Sequence, residues 1–358
     1  RWRSLLIAAL SLVLPACGGR ATPAADDGGH HTGLDGHPPP TVPDGPRDSS
    51  ALRADLGVSD ISTKKDVRPH LWQRFSIEGG ASINDIRGVS DHRLWLAGHT
   101  KTGAPALWER HQGSFRRKTT PNTKHPLAGV WARDTSAGVE LWVVGKADSI
   151  GGAAIWKRSA TGSWSPVLLP IPVVLDLKGI DGNPSGDLLA IGQSDGKGGV
   201  ALALSATKGY LSAKSFDSAP PWTETRDVAV AGPGHGVVLV RREEVVSFWS
   251  FRSGAWSLDQ EITHDISSLC IASDQGGVAA GRAIWRRNEG RWQHVTSGAD
   301  IRRVRCRGSH AIFVENTPPV SQLFSSDLLS GAGRPNGERP TTLWLSDNWL
   351  WVATLEGN

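Results

Sequence analysis

The chain has 358 residues, and its 39 lysines and arginines against 35 aspartates and glutamates leave a net charge of only +4. This near balance excludes the large basic excess of a typical nucleic-acid-binding protein, so we expect no nucleic-acid partner. Tryptophan is overused, with 16 copies against one tyrosine, and the 42 glycines and 22 prolines are typical of an all-β chain with many turns.

The N-terminus has the pattern of a secretory signal. Two arginines precede an apolar run over residues 5–14, which is too short to span a bilayer as a helix. The run ends in Leu14-Pro15-Ala16-Cys17. This sequence resembles the lipobox of bacterial lipoproteins, in which the cysteine is acylated after the signal is removed. The alternative is an ordinary cleaved signal with an incidental cysteine.

The lipobox resemblance implies a signal peptide over residues 1–16, a lipidated Cys17 and a location in the cell envelope. Gly18 follows the cysteine where an aspartate would imply retention in the inner membrane, so the resemblance implies the outer membrane. Residues 17–50 are rich in glycine, proline and aspartate, and we expect a disordered tether there. As a flexible coil, the tether would reach roughly 30 Å. Residues 51–358 are then predicted to form one domain.

A short repeat organises that domain. Its clearest copy is Ser90-Asp91-His92-Arg93-Leu94-Trp95-Leu96-Ala97-Gly98, and a second lies at residues 346–353, with divergent copies at 140–145 and 187–192. The glycines that end three of these copies, Gly98, Gly145 and Gly192, recur at intervals of 47 residues. A period of roughly 40–50 residues with several short strands is typical of a β-propeller blade.

Each repeat unit is predicted to contain four strands. The second is the apolar run just described, and the third carries an apolar residue followed by tryptophan. A glycine turn then leads to an aromatic residue that opens the fourth strand, seven or eight positions after that tryptophan. Such a constant step is expected of a hairpin, because turn geometry determines the register. Four units have this step: Trp108 to Phe115, Trp156 to Trp164, Trp249 to Trp256 and Trp285 to Trp292.

The number of blades has two interpretations. First strands predicted near residues 86, 127, 177, 226, 266, 301 and 342 favour seven blades. The seventh would combine inner strands from residues 341–358 with an outer part from residues 70–75, so that both termini close the ring. In the alternative, six blades, Leu343-Trp344 and Trp351 belong to the third and fourth strands of blade six.

These motifs resemble the tryptophan-rich propeller repeats of many bacterial envelope lipoproteins. The resemblance covers residues 69–358 and implies a fold and a cellular location but no reaction. The sequence contains no Gly-x-Ser-x-Gly elbow, His-Glu-x-x-His motif or phosphate-binding loop. We therefore predict no catalytic residue, metal site or cofactor.

The segment Ile301-Arg302-Arg303-Val304-Arg305-Cys306-Arg307 is the candidate binding site. On a regular strand, Arg303, Arg305 and Arg307 share one face, which begins with Ile301. Three guanidinium groups on an innermost strand would suit a carboxylate or phosphate group of a partner. The alternative is that the arginines form salt bridges or face solvent.

Cys270 and Cys306 follow two neighbouring first strands. An oxidising envelope would favour a disulfide bond between them. They lie at different distances from the predicted strand starts, four and five residues, so their faces need not match. The sequence therefore leaves a disulfide and two buried thiols as alternatives.

We predict a lipid-anchored, non-catalytic propeller that binds or organises an envelope protein partner, with the oligomeric state left open. The alternatives are a hydrolase or lyase that acts on polysaccharide, and a carbohydrate-binding module that uses exposed tryptophans. Paired carboxylates at the channel mouth would favour the enzyme. Burial of Trp95, Trp142 and Trp351 would exclude stacking of these rings on a sugar.

Overall fold

The computed structural model describes residues 77, 81–171, 173–195, 198–216, 223–273, 276–298, 300–307, 310–315, 323–325, 339–345 and 350–355. Within these ranges the chain forms 25 β-strands in seven antiparallel sheets, which confirms the all-β prediction. The described residues include no helix with the length and apolar character needed to cross a bilayer. The predicted signal, Cys17, the tether and residues 70–75 lie outside the described residues.

Successive sheets follow one another along the chain. Sheet 1 contains β1 (Ala81–Ser90), β2 (Arg93–Thr100), β3 (Pro105–His111) and β4 (Ser114–Lys118), and sheet 2 contains β5 (Leu127–Thr135), β6 (Gly138–Gly145), β7 (Ile155–Arg158) and β8 (Trp164–Pro166). Sheet 3 contains β9 (Leu175–Gly182), β10 (Asp187–Ser194), β11 (Gly198–Ser205) and β12 (Gly209–Ser215), and sheet 4 contains β13 (Thr223–Gly232), β14 (His235–Arg242), β15 (Val245–Arg252) and β16 (Ala255–Ile262). Sheet 5 contains β17 (Ile266–Ile271), β18 (Gly277–Gly281), β19 (Ala283–Asn288) and β20 (Arg291–Ser297), sheet 6 contains β21 (Ile301–Arg307), β22 (His310–Glu315) and β23 (Leu323–Ser325), and sheet 7 contains β24 (Arg339–Leu345) and β25 (Leu350–Leu355).

Every first strand carries a β-bulge against the second strand of its sheet. In β1 the register shifts between Ile83 and Asp85, and in β13 it shifts between Thr225 and Asp227. Equivalent shifts occur in β5, β9, β17, β21 and β24. A bulge breaks the strict alternation of side chains between the two faces. The face of each side chain in a first strand therefore cannot be counted from the start of the strand.

The constant step between the third and fourth strands follows from the hairpin turns. Gln112-Gly113, Ser253-Gly254 and Glu289-Gly290 are two-residue loops in which both residues have positive φ. This is the type I′ geometry whose twist matches the flanking strands, and it favours glycine at the second position. The step of eight occurs in sheet 2, where the longer loop over residues 159–163 joins β7 to β8.

The glycine at or near the end of the second strand is required by a close backbone contact. A Cβ atom added to Gly98 would lie 1.9 Å from the carbonyl oxygen of Ser82, and one added to Gly192 would lie 2.2 Å from that of Asp176. Gly145 and Gly281 have the same kind of contact, at 2.9 and 2.2 Å. No side chain fits between strands at such distances. Glycine therefore recurs every 47 residues because the second strand approaches the first strand closely in each of these sheets.

We expect Gly192→Ala to lower the free energy of unfolding by about 1–3 kcal/mol, because the added methyl group forces β9 and β10 apart. Urea denaturation followed by tryptophan fluorescence measures this change. The matched control is Gly179→Ala in β9, where the added Cβ would meet its nearest atom at an ordinary 3.6 Å. Equal effects of the two substitutions would contradict the packing explanation.

The hydrophobic core lies between neighbouring sheets. Six clusters of buried side chains each combine residues of two sheets that follow each other, from sheets 1 and 2 to sheets 6 and 7. The remaining cluster joins Trp344 and Ala353 of sheet 7 to Ile86 and Leu94 of sheet 1. The last sheet therefore packs on the first as the others pack on their neighbours.

The repeated tryptophans belong to this core. Trp95 and Trp142 are each 1% exposed, which agrees with their expected packing between sheets and prevents these two rings from stacking on a sugar. The side chain of Trp351 lies outside the described part. The burial excludes sugar stacking for Trp95 and Trp142, two of the three rings on which that alternative depended.

Candidate functional site: the charged centre

Six charged side chains from four first strands converge, and we call this group the charged centre. Its members come from β1, β9, β13 and β21: Asp85, Arg87, Asp181, Asp227, Arg303 and Arg305.

Three ion pairs of the charged centre connect sheets that are not neighbours. Arg87 Nη2 of sheet 1 lies 3.2 Å from Asp181 Oδ1 of sheet 3. From sheet 6, Arg305 Nη1 and Arg303 Nη1 lie 3.5 and 3.9 Å from Asp227 Oδ2 of sheet 4. Each contact passes over one intervening sheet. The guanidinium groups of Arg87, Arg303 and Arg305 therefore lie in the space between the first strands of these sheets.

Asp227 is the most heavily hydrogen-bonded carboxylate of the group. Its Oδ1 accepts a hydrogen bond from the Val228 N–H at 2.9 Å. Its Oδ2 accepts bonds from Ser268 Oγ at 2.6 Å and from the Leu269 N–H at 3.0 Å. Burial alone would raise the pKa of Asp227, but the nearby arginine charges and these hydrogen bonds outweigh it and hold the pKa below its ordinary value.

Asp181 responds in the opposite direction. Burial raises its pKa, and the charge of Arg87 together with a hydrogen bond from the Val230 N–H offsets the increase only in part. Arg87 is also buried, yet the surrounding carboxylates, with Asp181 the strongest contributor, raise the pKa of its guanidinium. Arg305 differs, since burial and two neighbouring arginines lower its pKa despite the charge of Asp227.

Polar side chains in and beside the charged centre also connect several first strands to the next one along the chain. Asp85 Oδ2 accepts a hydrogen bond from the Val130 N–H of sheet 2 at 3.1 Å, and Asp181 makes the same kind of contact with sheet 4. Ser268 Oγ accepts a bond from the Val304 N–H of sheet 6 at 3.1 Å. Backbone donors exposed by the bulges are thus satisfied by the side chain of the preceding sheet.

This arrangement is suited to holding the sheets together and poorly suited to acid–base catalysis. The opposite pKa directions of Asp181 and Asp227 are what an acid–base pair needs. However, these two side chains are only 17% and 8% exposed, and each is already bonded to arginine and backbone donors. A sugar substrate would have to displace those bonds to reach either carboxylate.

The structure separates the three predicted arginines. Arg305 is 13% exposed, whereas Arg303 is 31% exposed and forms the longer contact with Asp227. Arg307 ends β21, and its side chain lies outside the described part. The prediction that Ile301 begins the arginine face is wrong, because the bulge at Arg302 breaks the alternation and buries Ile301 against Val304.

Sequence reasoning missed four members of the charged centre: Asp85, Arg87, Asp181 and Asp227. A weak signal was present, since Asp85-Ile86 and Asp227-Val228 place an aspartate before a β-branched residue at the same position of two first strands. Within the described ranges, histidine, cysteine, aspartate and glutamate form no group of three or more that would hold a metal ion.

A disulfide bond links Cys270 of β17 to Cys306 of β21, with the two Cα atoms 5.6 Å apart. The sequence had left this pairing open. Both cysteines follow a bulge, so their positions counted from the strand starts did not reveal that they face each other. The bond joins sheets 5 and 6 beside the arginines of the charged centre.

No protein-family model and no curated protein matches this chain. Among solved structures, "YCF48 bound to D1 peptide" is 14% identical over 82% of this chain and 96% of that chain, with a TM-score of 0.55. The "Dos1 propeller" is 10% identical over 76% of each chain, with a TM-score of 0.49. A fucose-specific lectin from Aleuria aurantia is 13% identical over 71% of this chain and 93% of its own, with a TM-score of 0.44. At these identities the likeness concerns the fold alone, and the fold of this chain is a β-propeller.

Proposed function

We propose that this protein is a lipid-anchored, non-catalytic β-propeller that binds a protein partner in the cell envelope. The carrying observation is the difference between the arginines of the charged centre. Arg305 is enclosed, but nearly a third of Arg303 remains exposed, 3.9 Å from the nearest carboxylate oxygen. A guanidinium group in this setting can pair with an acidic side chain or a terminal carboxylate of a partner.

Two further observations support the proposal. The carboxylates of the charged centre are committed to arginine and backbone donors, which disfavours a hydrolytic role. The YCF48 structure contains a D1 peptide, so a propeller of similar shape accommodates a peptide. The lipid anchor at Cys17 and the outer-membrane location rest on the lipobox resemblance.

We further propose that the seven sheets are seven blades of one closed ring. In the six-blade alternative, β24 and β25 would be outer strands of the sixth blade. In support of seven, β24 packs against the first strands β21 and β1 on its two sides. A Cβ on Gly88 would lie 2.7 Å from the Trp344 ring, much as one on Gly182 would lie 2.8 Å from Trp131. The outer part of this blade, from residues 70–75, remains part of the proposal.

The test is a crosslinked pull-down of the protein from intact cells, analysed by mass spectrometry. We expect a recurrent envelope protein whose recovery falls about tenfold in Arg303→Glu, since the substitution replaces an attractive contact with a repulsive one. The matched control is Arg286→Glu, an exposed arginine on β19 in the body of sheet 5. Arg305 is unsuitable for this test because its loss would disturb the fold.

Recovery that is unchanged by Arg303→Glu, or reduced equally by Arg286→Glu, would contradict binding at the charged centre. The same cells test the anchor, because Cys17→Ala should move the protein from the membrane fraction to the soluble fraction. A protein that stays membrane-bound without Cys17 would overturn the lipoprotein proposal.

A further inference from the structure

Two large aliphatic side chains are far more exposed than the others in the described ranges. Ile150 is 73% exposed and Leu168 is 78% exposed, whereas Leu258 and Leu211 reach only 45% and 42%. Ile150 lies in the β6–β7 loop and Leu168 lies in the β8–β9 connection. Exposing such side chains to water is unfavourable, and a contiguous exposed apolar patch is typical of a surface that binds a partner or a membrane.

The two connections belong to the same edge of sheet 2. The start of β5 pairs with the end of β6 through Leu127 and Gly145, and Val144 pairs with Ile155 at the start of β7. The connections also share a hydrophobic cluster, which includes Ala147 and Ala154 beside Ile155, with Val167, Leu169 and Ile171 packed against it. Ile150 and Leu168 therefore extend from neighbouring loops on one common base.

Two lysines flank these loops, and we call Ile150, Leu168, Lys124 and Lys146 the rim patch. Both lysines are exposed. The Lys124 N–H donates to Asp148 Oδ1 in the β6–β7 loop at 3.5 Å, which brings the preceding connection to the same edge. Asp148 also lies 3.4 Å from His125, so the acid on this loop has a basic neighbour of its own.

The composition of the rim patch distinguishes a lipid surface from a protein partner. Protein interfaces concentrate aromatic residues and arginine at their centres and are depleted in lysine. Aliphatic side chains flanked by lysines are instead typical of contact with a bilayer interface and its anionic headgroups.

The path of the chain favours the same occupant. Asn84 Nδ2 donates to the Leu127 carbonyl oxygen at 2.7 Å, so the start of β1 lies beside the start of β5. β1 therefore begins at the edge that carries the rim patch. Cys17 precedes Ala81 by 64 positions.

We propose that the rim patch docks on the lipid surface to which Cys17 anchors the chain. This inference rests on the lipid anchor of the proposed function, and it assigns the propeller an orientation. The edge of sheet 2 with Ile150 and Leu168 faces the bilayer. The opposite ends of the sheets, which carry the type I′ hairpin turns, face away from it.

The test uses the acylated full chain in vesicles of phosphatidylethanolamine and phosphatidylglycerol. Ile150→Cys and Leu168→Cys are labelled separately with an environment-sensitive fluorophore, and Leu258→Cys on β16 is the matched control. We expect a blue-shifted emission that brominated acyl chains quench for the first two sites but not for the control. Lys124→Glu with Lys146→Glu should reduce the shift, because the anionic headgroups then repel the patch.

Each other outcome contradicts a defined part of the proposal. A chain that floats with the vesicles while both labels stay in water would overturn docking and leave the anchor intact. A chain that does not float would overturn the anchor and docking together. Labels shielded in native membranes but not in pure lipid would show that a membrane protein covers the patch, which also overturns lipid docking.

Discussion

Asp227→Ala should lower the free energy of unfolding by about 3–5 kcal/mol, because removing one partner of a buried ion pair leaves the other charge uncompensated. Asp227 accepts hydrogen bonds from Ser268 and Leu269, and it is the ion-pair partner of Arg305, which is only 13% exposed. The substitution therefore weakens the contact between sheets 4 and 5 and also that between sheets 4 and 6. Urea denaturation at neutral pH measures the change.

The matched control is Asp134→Ala. Asp134 is 58% exposed and pairs with Arg93 at 3.0 Å on the surface, where such a bridge contributes at most about 1 kcal/mol. If the two substitutions have similar effects, the charged centre does not stabilise the fold.

The pH dependence of stability gives the Asp227 prediction a second readout. The pKa of Asp227 is lowered in the folded state, so its contribution to the free energy of unfolding is complete when the pH is above its unfolded-state pKa of about 3.9. That contribution is lost as the pH falls through the lower pKa of the folded state. Asp181, whose pKa is raised, acts in the opposite sense and loses its contribution as the pH rises through the raised value. Asp227→Asn should therefore lose less stability on acidification than the wild type.

Removal of the Cys270–Cys306 disulfide is the second large effect that we expect. The bond closes a loop with a sequence separation of 36 residues. By the chain-entropy estimate, losing a cross-link over a loop of this length costs about 4 kcal/mol. The guanidinium denaturation midpoint of the Cys270→Ala, Cys306→Ala double variant should fall accordingly.

Reduction provides the control for the disulfide prediction. A reducing agent should lower the denaturation midpoint of the wild type toward that of the double variant, and it should leave the double variant unchanged. A wild-type midpoint that does not respond to full reduction would contradict a stabilising role for the bond.

The repeat was predictable because its signals are local. The step from Trp108 to Phe115 depends on a two-residue hairpin whose turn geometry is encoded at Gln112-Gly113. First strands predicted at residues 127, 266 and 301 begin where the structure has them, and the others begin two to five residues earlier, as β1 does at Ala81 instead of residue 86. These predicted starts are too late because the residues that precede the bulges lack the apolar pattern on which the prediction depended.

The candidate site was harder to predict because it depends on contacts between distant segments. Arg303 and Arg305 were selected from one strand, but their ion-pair partner, Asp227, lies more than 70 positions earlier in the chain. Strict alternation of side chains along β21 also predicted the wrong face for Ile301, since the bulge at Arg302 shifts Ile301 into the core. Without the three-dimensional arrangement, Asp85 and Asp181 are isolated polar residues in apolar strands.

The sequence by itself determined the repeat, the positions of its hairpins and the glycines at or near the ends of the second strands, because each depends on residues that are close along the chain or recur at a regular interval. The tertiary structure alone decided which charges pair, that the two cysteines are bonded and that Ile150 and Leu168 share one edge. These features arise where separate sheets meet. The contacts between sheets depend on the packing of segments that are far apart along the chain, so no single segment of the sequence contains the information.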